Sequence, residues 1–343
     1  MKNSVRFLIL AILIFGLTVT GSSQEQPFYE SKTIRIIVPS GVGGGFDTYA
    51  RLLQPYLEKY LPGSMVIVEN IPGAGGSIGR NLAFKAKPDG YTICLSDGKD
   101  MVFSTIAEAE GVKYEINKWT YLARITNESS ILTVPAKSQL ISFEEIINAD
   151  RILSFSTAGV GAGEYFALGV IAHVFDFEIL PVTGYAGSKE ASMAAVRGEV
   201  DLWQYSSGTT LPLIKSGDVK PMVVYGFERE PELPEVPTLV EIANDNQFSL
   251  GETDKKIIKA MINVNEVKRV IMAPPGLDER KTVILRDAVK KALHDPELIA
   301  HANQINRSIA YLEGEKIAQL ISETMEIKDL IKPILDETLK LAQ

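Results

Sequence analysis

Short apolar, β-branched runs recur along the chain: Ile34 to Val38, Met65 to Val68, Tyr91 to Leu95, Ile131 to Val134, Ile152 to Phe155, Ile179 to Val182 and Met222 to Tyr225. Most are separated by amphipathic stretches of helical length. Leu53, Leu57 and Leu61 share one face after Asp47, and Ala167, Val170, Ile171 and Val174 share another after Gly163. Strands alternating with helices predict parallel sheets covered on both faces. From Asp254 onward the pattern turns mostly helical. Val283, Leu285, Ala288, Val289, Ala292 and Leu293 form one apolar stripe ending near Asp295-Pro296. Ile317, Leu320, Ile321, Met325 and Ile327 begin another, with an interruption expected near Pro333. The pattern is that of an α/β protein with helical additions toward the C-terminus.

The start of the chain reads differently. Lys2 and Arg6 precede an uncharged apolar run from Phe7 to Val19, and small residues follow at Thr20, Gly21, Ser22 and Ser23. Those are the three regions of a secretory signal peptide, with a cut expected between Gly21 and Gln26. A helix over that run would span about 20 Å, too short for a hydrocarbon core of about 30 Å. The expectation is a signal peptide over residues 1–23 and a soluble periplasmic protein.

Composition narrows the chemistry. A chain of 343 residues is long enough for two domains, and 45% hydrophobic residues are enough to bury a core. The formal charge of −8, with no basic block, argues against a nucleic-acid partner. Cys94 is the single cysteine and His173, His294 and His301 the only histidines, so no intrachain disulfide, lipid-bearing cysteine at the cut or multi-cysteine metal site is expected. No serine sits in a Gly-x-Ser-x-Gly elbow. Neither a cofactor nor a catalytic group is expected.

Glycine-rich turns carry what chemistry there is. In IRIIVPSGVGGGFDTYARLL a strand passes through Gly41, Gly43, Gly44 and Gly45 into a helix starting near Asp47. Such a turn leaves the first N–H groups of the helix facing a crevice, where they and the helix dipole attract an anionic oxygen. A dinucleotide fingerprint would need glycine at Phe46, and a P-loop would need Gly-Lys at Phe46 and Asp47, so neither fits. The plain alternative is a tight turn with Asp47 as N-cap. LSFSTAGVGAGEYFALGVIAHVF repeats the plan through Thr157, Gly159, Gly161 and Gly163, and PVTGYAGSKEASMAAVRGEVDLW through Gly184 and Gly187, adding Tyr185 and Lys189. A fourth stretch, NIPGAGGSIGRNLAFKAKPDGYTI, brings Arg80, expected at the surface. Anion-type turns in separate α/β units suggest a ligand held between two lobes.

These pieces, in this order and spanning nearly the whole chain after residue 23, resemble the substrate-binding proteins of tripartite tricarboxylate transporters, the Bug family of extracytoplasmic solute receptors. LIKSGDVKPMVVYG, LPEVPTLVE and MAPPGLDERKTVILRDAVKKALHDPE complete the resemblance. It implies a two-lobed periplasmic binding protein type II (Venus flytrap) fold. Residues 24–126 with 224–343 would form lobe 1, and residues 127–223 lobe 2. It also implies a monomer that closes on a small carboxylate and delivers it to transporter membrane subunits. The ligand contacts it implies are Gly43, Gly44, Gly45, Phe46 and Asp47 in the first turn, Thr157, Gly159 and Gly163 in the second, and Tyr185 and Gly187 in the third, with Asp201 structural.

Two acidic residues complicate that picture. Glu164 stands where the family commonly has serine, with Tyr165 in place of histidine, and Asp97 follows the Tyr91 to Leu95 strand. A carboxylate near the cleft opposes an anionic ligand. Either Glu164 points to solvent, or the ligand carries a cationic group, as an amino acid does. The stretch from Asn244 to Val270 is longer and more helical than in common members. A sensor presenting its liganded form to a kinase, and an exported enzyme acting on a small acid, are the competing readings.

Overall fold

The computed structural model describes residues 28–160, 162–326 and 328–341, so the expected signal peptide and Gly161 lie outside the described residues. The chain opens with β1 (Thr33–Val38), α1 (Gly45–Tyr60), β2 (Met65–Asn70), α2 (Ser77–Phe84), β3 (Thr92–Ser96), α3 (Gly98–Ile106) and β4 (Thr120–Arg124). It then builds a second region from β5 (Ser130–Pro135), α4 (Phe143–Ile147), β6 (Leu153–Ser156), α5 (Gly163–Phe175), β7 (Ile179–Val182), α6 (Ser188–Arg197), β8 (Trp203–Ser206), α7 (Ser207–Lys215) and β9 (Val219–Tyr225). The remainder holds α8 (Leu239–Asn244), α9 (Glu252–Asn263), β10 (Val270–Ala273), α10 (Glu279–Leu293), α11 (Pro296–Gln304), β11 (Leu312–Glu313), α12 (Gly314–Met325) and α13 (Lys328–Lys340).

The first sheet has the order β11-β4-β10-β3-β1-β2. The second comprises β8-β5-β9 and the parallel pair β6-β7, joined by a bridge from Phe155 to Leu202. The seven apolar runs all fall on strands. The expectation of parallel sheets holds for β1 with β2 and β3, but β10 runs antiparallel to both β3 and β4, and β5 antiparallel to β8 and β9. The cause is the chain's double passage between sheets. It leaves through residues 125–129 and returns through 226–269, so β10 enters the first sheet from the opposite end. The expected switch at 223/224 falls inside β9, which stays in the second sheet to Tyr225.

Three further expectations change. Val270–Ala273, in the stretch read as helical, is a fully buried strand. Pro333 does not interrupt a helix: it lies within α13, and the break comes between α12 and α13. Helix α1 begins at Gly45 with Gly44 as its N-cap, so Asp47 lies inside the first turn.

Period-2 alternation assigns strand residues to two apolar clusters. Ile34, Ile36, Val38, Ile271 and Ala273 face α1 and α10, while Ile37, Val270 and Met272 face the other way. The latter cluster continues without a break into Leu132, Phe155, Tyr165 and Phe166 of the second sheet's region. Helix α5 forms the seam. It is apolar on every side and buried accordingly, packed between α3, α9 and α13. Tyr165 donates its hydroxyl to the Thr338 carbonyl on α13 at 2.7 Å. The seam therefore fixes the N-terminus of α5, where Glu164 lies. Among the described residues no helix is long and apolar enough to cross a membrane.

Candidate functional site

The glycine turns of the two sheets meet face to face. Gly41 N–H donates to the Ala186 carbonyl at 2.7 Å, and Gly45 N–H donates to Ser188 Oγ at 3.2 Å. Gly187 allows this approach, because a Cβ there would stand 3.3 Å from the Gly41 nitrogen. Between the turns lies a cavity of 50 Å³.

Of the contacts implied by sequence, Gly45, Phe46, Glu164 and Gly187 line that cavity. The others occupy supporting places. Gly43 takes the left-handed conformation, with φ 78°, and its N–H donates to Asp47 Oδ2 at 2.7 Å. Asp47 also pairs with Arg51 at 2.9 Å and is spent on closing its own turn. Burial pushes its carboxyl up, but Arg51, the Gly43 N–H and Asn70 together hold it below the ordinary value. Gly44 packs against Ser188. Asp97 caps α3, accepting from Lys99 N–H at 2.9 Å. Thr157 is buried and donates to Glu164 Oε1 at 3.1 Å. Gly159 approaches the Gly75 backbone across the cleft, and Gly163 packs against Asp100. Tyr185 lies in a separate surface depression with Val42, Lys189 and Met193. Asp201 bonds Arg151 and Ser154, away from the cavity.

For the charged side chains, the surface expectation for Arg80 is corrected and one of the two alternatives for Glu164 is set aside. Arg80 is buried at the cavity rather than exposed, with Nε donating to Ser96 Oγ at 3.0 Å and Nη2 paired to Asp100 at 2.9 Å. Glu164 does not point to solvent. Its Oε1 accepts from the Thr157 hydroxyl, the Ala158 N–H and the Tyr205 hydroxyl, and the side chain is part of the cavity wall.

The residue that sequence reasoning missed is Arg269, just before β10. It is 2% exposed, and its guanidinium lies between the rings of Phe46 at 4.7 Å and Tyr49 at 4.8 Å. Nη2 donates to Glu128 at 3.1 Å and to Ser206 Oγ at 2.6 Å. Nη1 is buried and has no hydrogen-bond partner among the described residues. Arg269 also holds φ 46°, an uncommon conformation for a side-chain-bearing residue and one that concentrates at functional sites. The available signal was the pair Lys268-Arg269 abutting a run of apolar residues, a place where charge has no evident route to water.

Lys268 is buried behind it, donating to the Glu128 carbonyl at 2.9 Å and to Ser130 Oγ at 3.0 Å. Burial foremost, then Lys99, pulls its pKa from 10.5 down to about 7. Between those values the unfolded chain binds more protons than the folded one, so this group makes stability rise with pH from about 7 to 10. Lys268→Met should flatten that rise by about 1 kcal/mol per pH unit. Urea unfolding at pH 7, 8 and 9 measures it. Equal slopes in both proteins would mean that the lysine keeps its charge when buried.

Comparison with known proteins agrees with this architecture. The sequence pattern of the tripartite tricarboxylate transporter family receptors matches residues 49–335. A UPF0065 protein from the tcbD-tcbE intergenic region of Pseudomonas sp. strain P51 is 28% identical, over 96% of this chain and 95% of its own. The periplasmic binding protein BugD is 25% identical with a TM-score of 0.73, over 89% of this chain and 98% of BugD. MatC of Rhodopseudomonas palustris, solved with bound malate, shares the fold at a TM-score of 0.74 and 23% identity, over 89% of this chain and 99% of MatC. BugD is a periplasmic binding protein, and MatC holds a small dicarboxylate.

Proposed function

This chain belongs to the tripartite tricarboxylate transporter receptor family, and on that premise we propose that it is a periplasmic receptor for a small carboxylate-bearing solute. It closes two lobes over the solute and presents it, as a monomer, to the membrane subunits of a tripartite transporter. The observation that carries this reading is Arg269, whose buried Nη1 has no hydrogen-bond partner among the described residues while Nη2 is held by Glu128 and Ser206. A preorganised guanidinium lacking one acceptor suits a carboxylate oxygen, and the first turn of α1 at Gly45 and Phe46 adds the positive end of its helix dipole beside it.

The two sides divide the work. Arg269, Gly45 and Phe46 come from the first lobe, and Tyr205, Ser206 and Ser188 from the second. A solute touching both sets stabilises the closed form over the open one, because only contacts that differ between states shift the equilibrium. Malate bound in MatC supports a carboxylate on this fold. Export rests on the pattern of residues 1–23.

Thermal unfolding against a panel of short mono- and dicarboxylates and amino acids tests the proposal. A ligand at 100 times its Kd should add about 2.7 kcal/mol of stability, a shift of several degrees. If no carboxylate-bearing compound shifts the transition, the receptor reading fails.

A further inference from the structure

The cavity wall carries both signs of charge, and two consecutive residues hold them apart. Tyr205 donates its hydroxyl to Glu164 Oε1 at 2.9 Å, and Ser206 Oγ accepts from Arg269 Nη2 at 2.6 Å. Both residues line the cavity. On the Arg269 side, Arg307 adds positive charge, and Glu128 is the carboxylate beside both guanidinium groups. On the other side, Glu164, Asp100 and Asp97 stand together, with Arg80 and Lys99 as the cations near them.

The acidic side has unused capacity. Oε1 of Glu164 takes all three of its protein hydrogen bonds, from Thr157, Ala158 and Tyr205, which leaves Oε2 without a protein donor among the described residues. Burial, and then the neighbouring Asp97 and Glu164, push the Asp100 carboxyl well above its ordinary range despite the Arg80 pair. Glu164 Oε2 is the open acceptor at this end, and a donor carrying positive charge satisfies it. The opposite end offers Nη1 of Arg269 and calls for negative charge. The cavity is small, 50 Å³, which favours a short solute.

Building on the receptor reading above, we propose that the solute is a short zwitterion, with its carboxylate on Arg269 Nη1 and its ammonium at Glu164 Oε2 beside Asp100. Arg269 is the anchor and Glu164 the discriminator. A dicarboxylate of the kind MatC holds would set its second carboxylate against Glu164 at close range, where like charges repel.

Isothermal titration at pH 7.5 with alanine, serine and β-alanine against malonate, succinate and malate decides the matter. The wild-type protein should bind at least one zwitterion about tenfold or more tighter than any of the dicarboxylates. Glu164→Gln keeps Oε1 for its three donors and replaces Oε2 with an N–H donor. It should weaken zwitterion binding by about 10- to 100-fold and strengthen dicarboxylate binding. Arg269→Gln should weaken both classes. If the wild type prefers dicarboxylates, or Glu164→Gln leaves the ratio unchanged, the zwitterion proposal falls while the receptor reading stands. If the wild type binds neither class, both fall. The wild-type ratio alone decides should either variant fail to fold.

Discussion

Glu128→Ala should lower the stability of the protein by about 3–5 kcal/mol. Glu128 is 6% exposed and joins parts of the chain far apart in sequence: it pairs with Arg269 at 3.1 Å and accepts the Tyr49 hydroxyl at 2.7 Å. Burial alone pushes its carboxyl up, but Arg269, Arg307, the Tyr49 hydroxyl and Lys268 outweigh burial and hold it below the ordinary value of 4.5. It is therefore ionised at neutral pH. Removing it strands two guanidinium groups, both of which lie over the Tyr49 ring. The penalty is that of buried charge left without a partner. Acid should act in the same direction, because stability from a depressed carboxyl is lost as pH falls through the unfolded value and below. Urea unfolding of the variant at pH 7 measures the effect. Pairing the change with Arg269→Met should recover part of the loss, since one stranded cation goes with the anion. A single-variant loss under about 1 kcal/mol would show that Glu128 is not what balances the cluster.

Gly98→Ala should cost about 3 kcal/mol, through backbone rather than charge. Gly98 is the first residue of α3, and a Cβ built there would overlap the Val267 carbonyl oxygen. Val267 ends the 3-10 turn Val264–Val267 that leads directly into Lys268 and Arg269. Neither backbone has a flexible side-chain end that could yield, so either α3 or the segment carrying Arg269 must shift. Stability and solute affinity should fall together. Gly251→Ala, at the exposed N-cap of α9 with φ −72°, is the control and should cost no more than about 1 kcal/mol, the loss of a cap. Loss of stability with unchanged affinity would show that α3 moves and the Arg269 segment does not.

The sequence makes much of this fold legible because most strands are buried on both faces, which turns them into short unbroken runs of β-branched residues. Where polar residues break the run, or a short run stands among helices, the strand is missed. Trp203–Ser206 carries Gln204 and Tyr205, and Val270–Ala273 is four residues long among helices. The glycine turns are equally legible, since chain reversal and close approach leave few other residues possible. The charged half of the site is not. Arg80 and Arg269 belong to a residue type that defaults to water, and only partners elsewhere in the chain explain their burial. Glu164 is partly buried, held by Thr157 and Ala158 nearby and by Tyr205 from farther off. Arg269 and Glu128 are 141 positions apart. That separation is closed by the return of the chain from the second sheet, a topological fact to which no local pattern points.

The seam around α5 also bears on how the protein is made. The apolar face that joins the two sheets is covered partly by α13, whose Thr338 receives Tyr165 and packs against Gly169. While synthesis proceeds from the N-terminus, the segment from 163 to 175 is made more than a hundred residues before its partner at 328–340. Until that partner emerges, the nascent chain has no complete interior to collapse around. Contacts of such long range delay folding. For a chain proposed to be threaded unfolded across a membrane, the contact between α5 and α13 can form only once nearly all of the protein has been made.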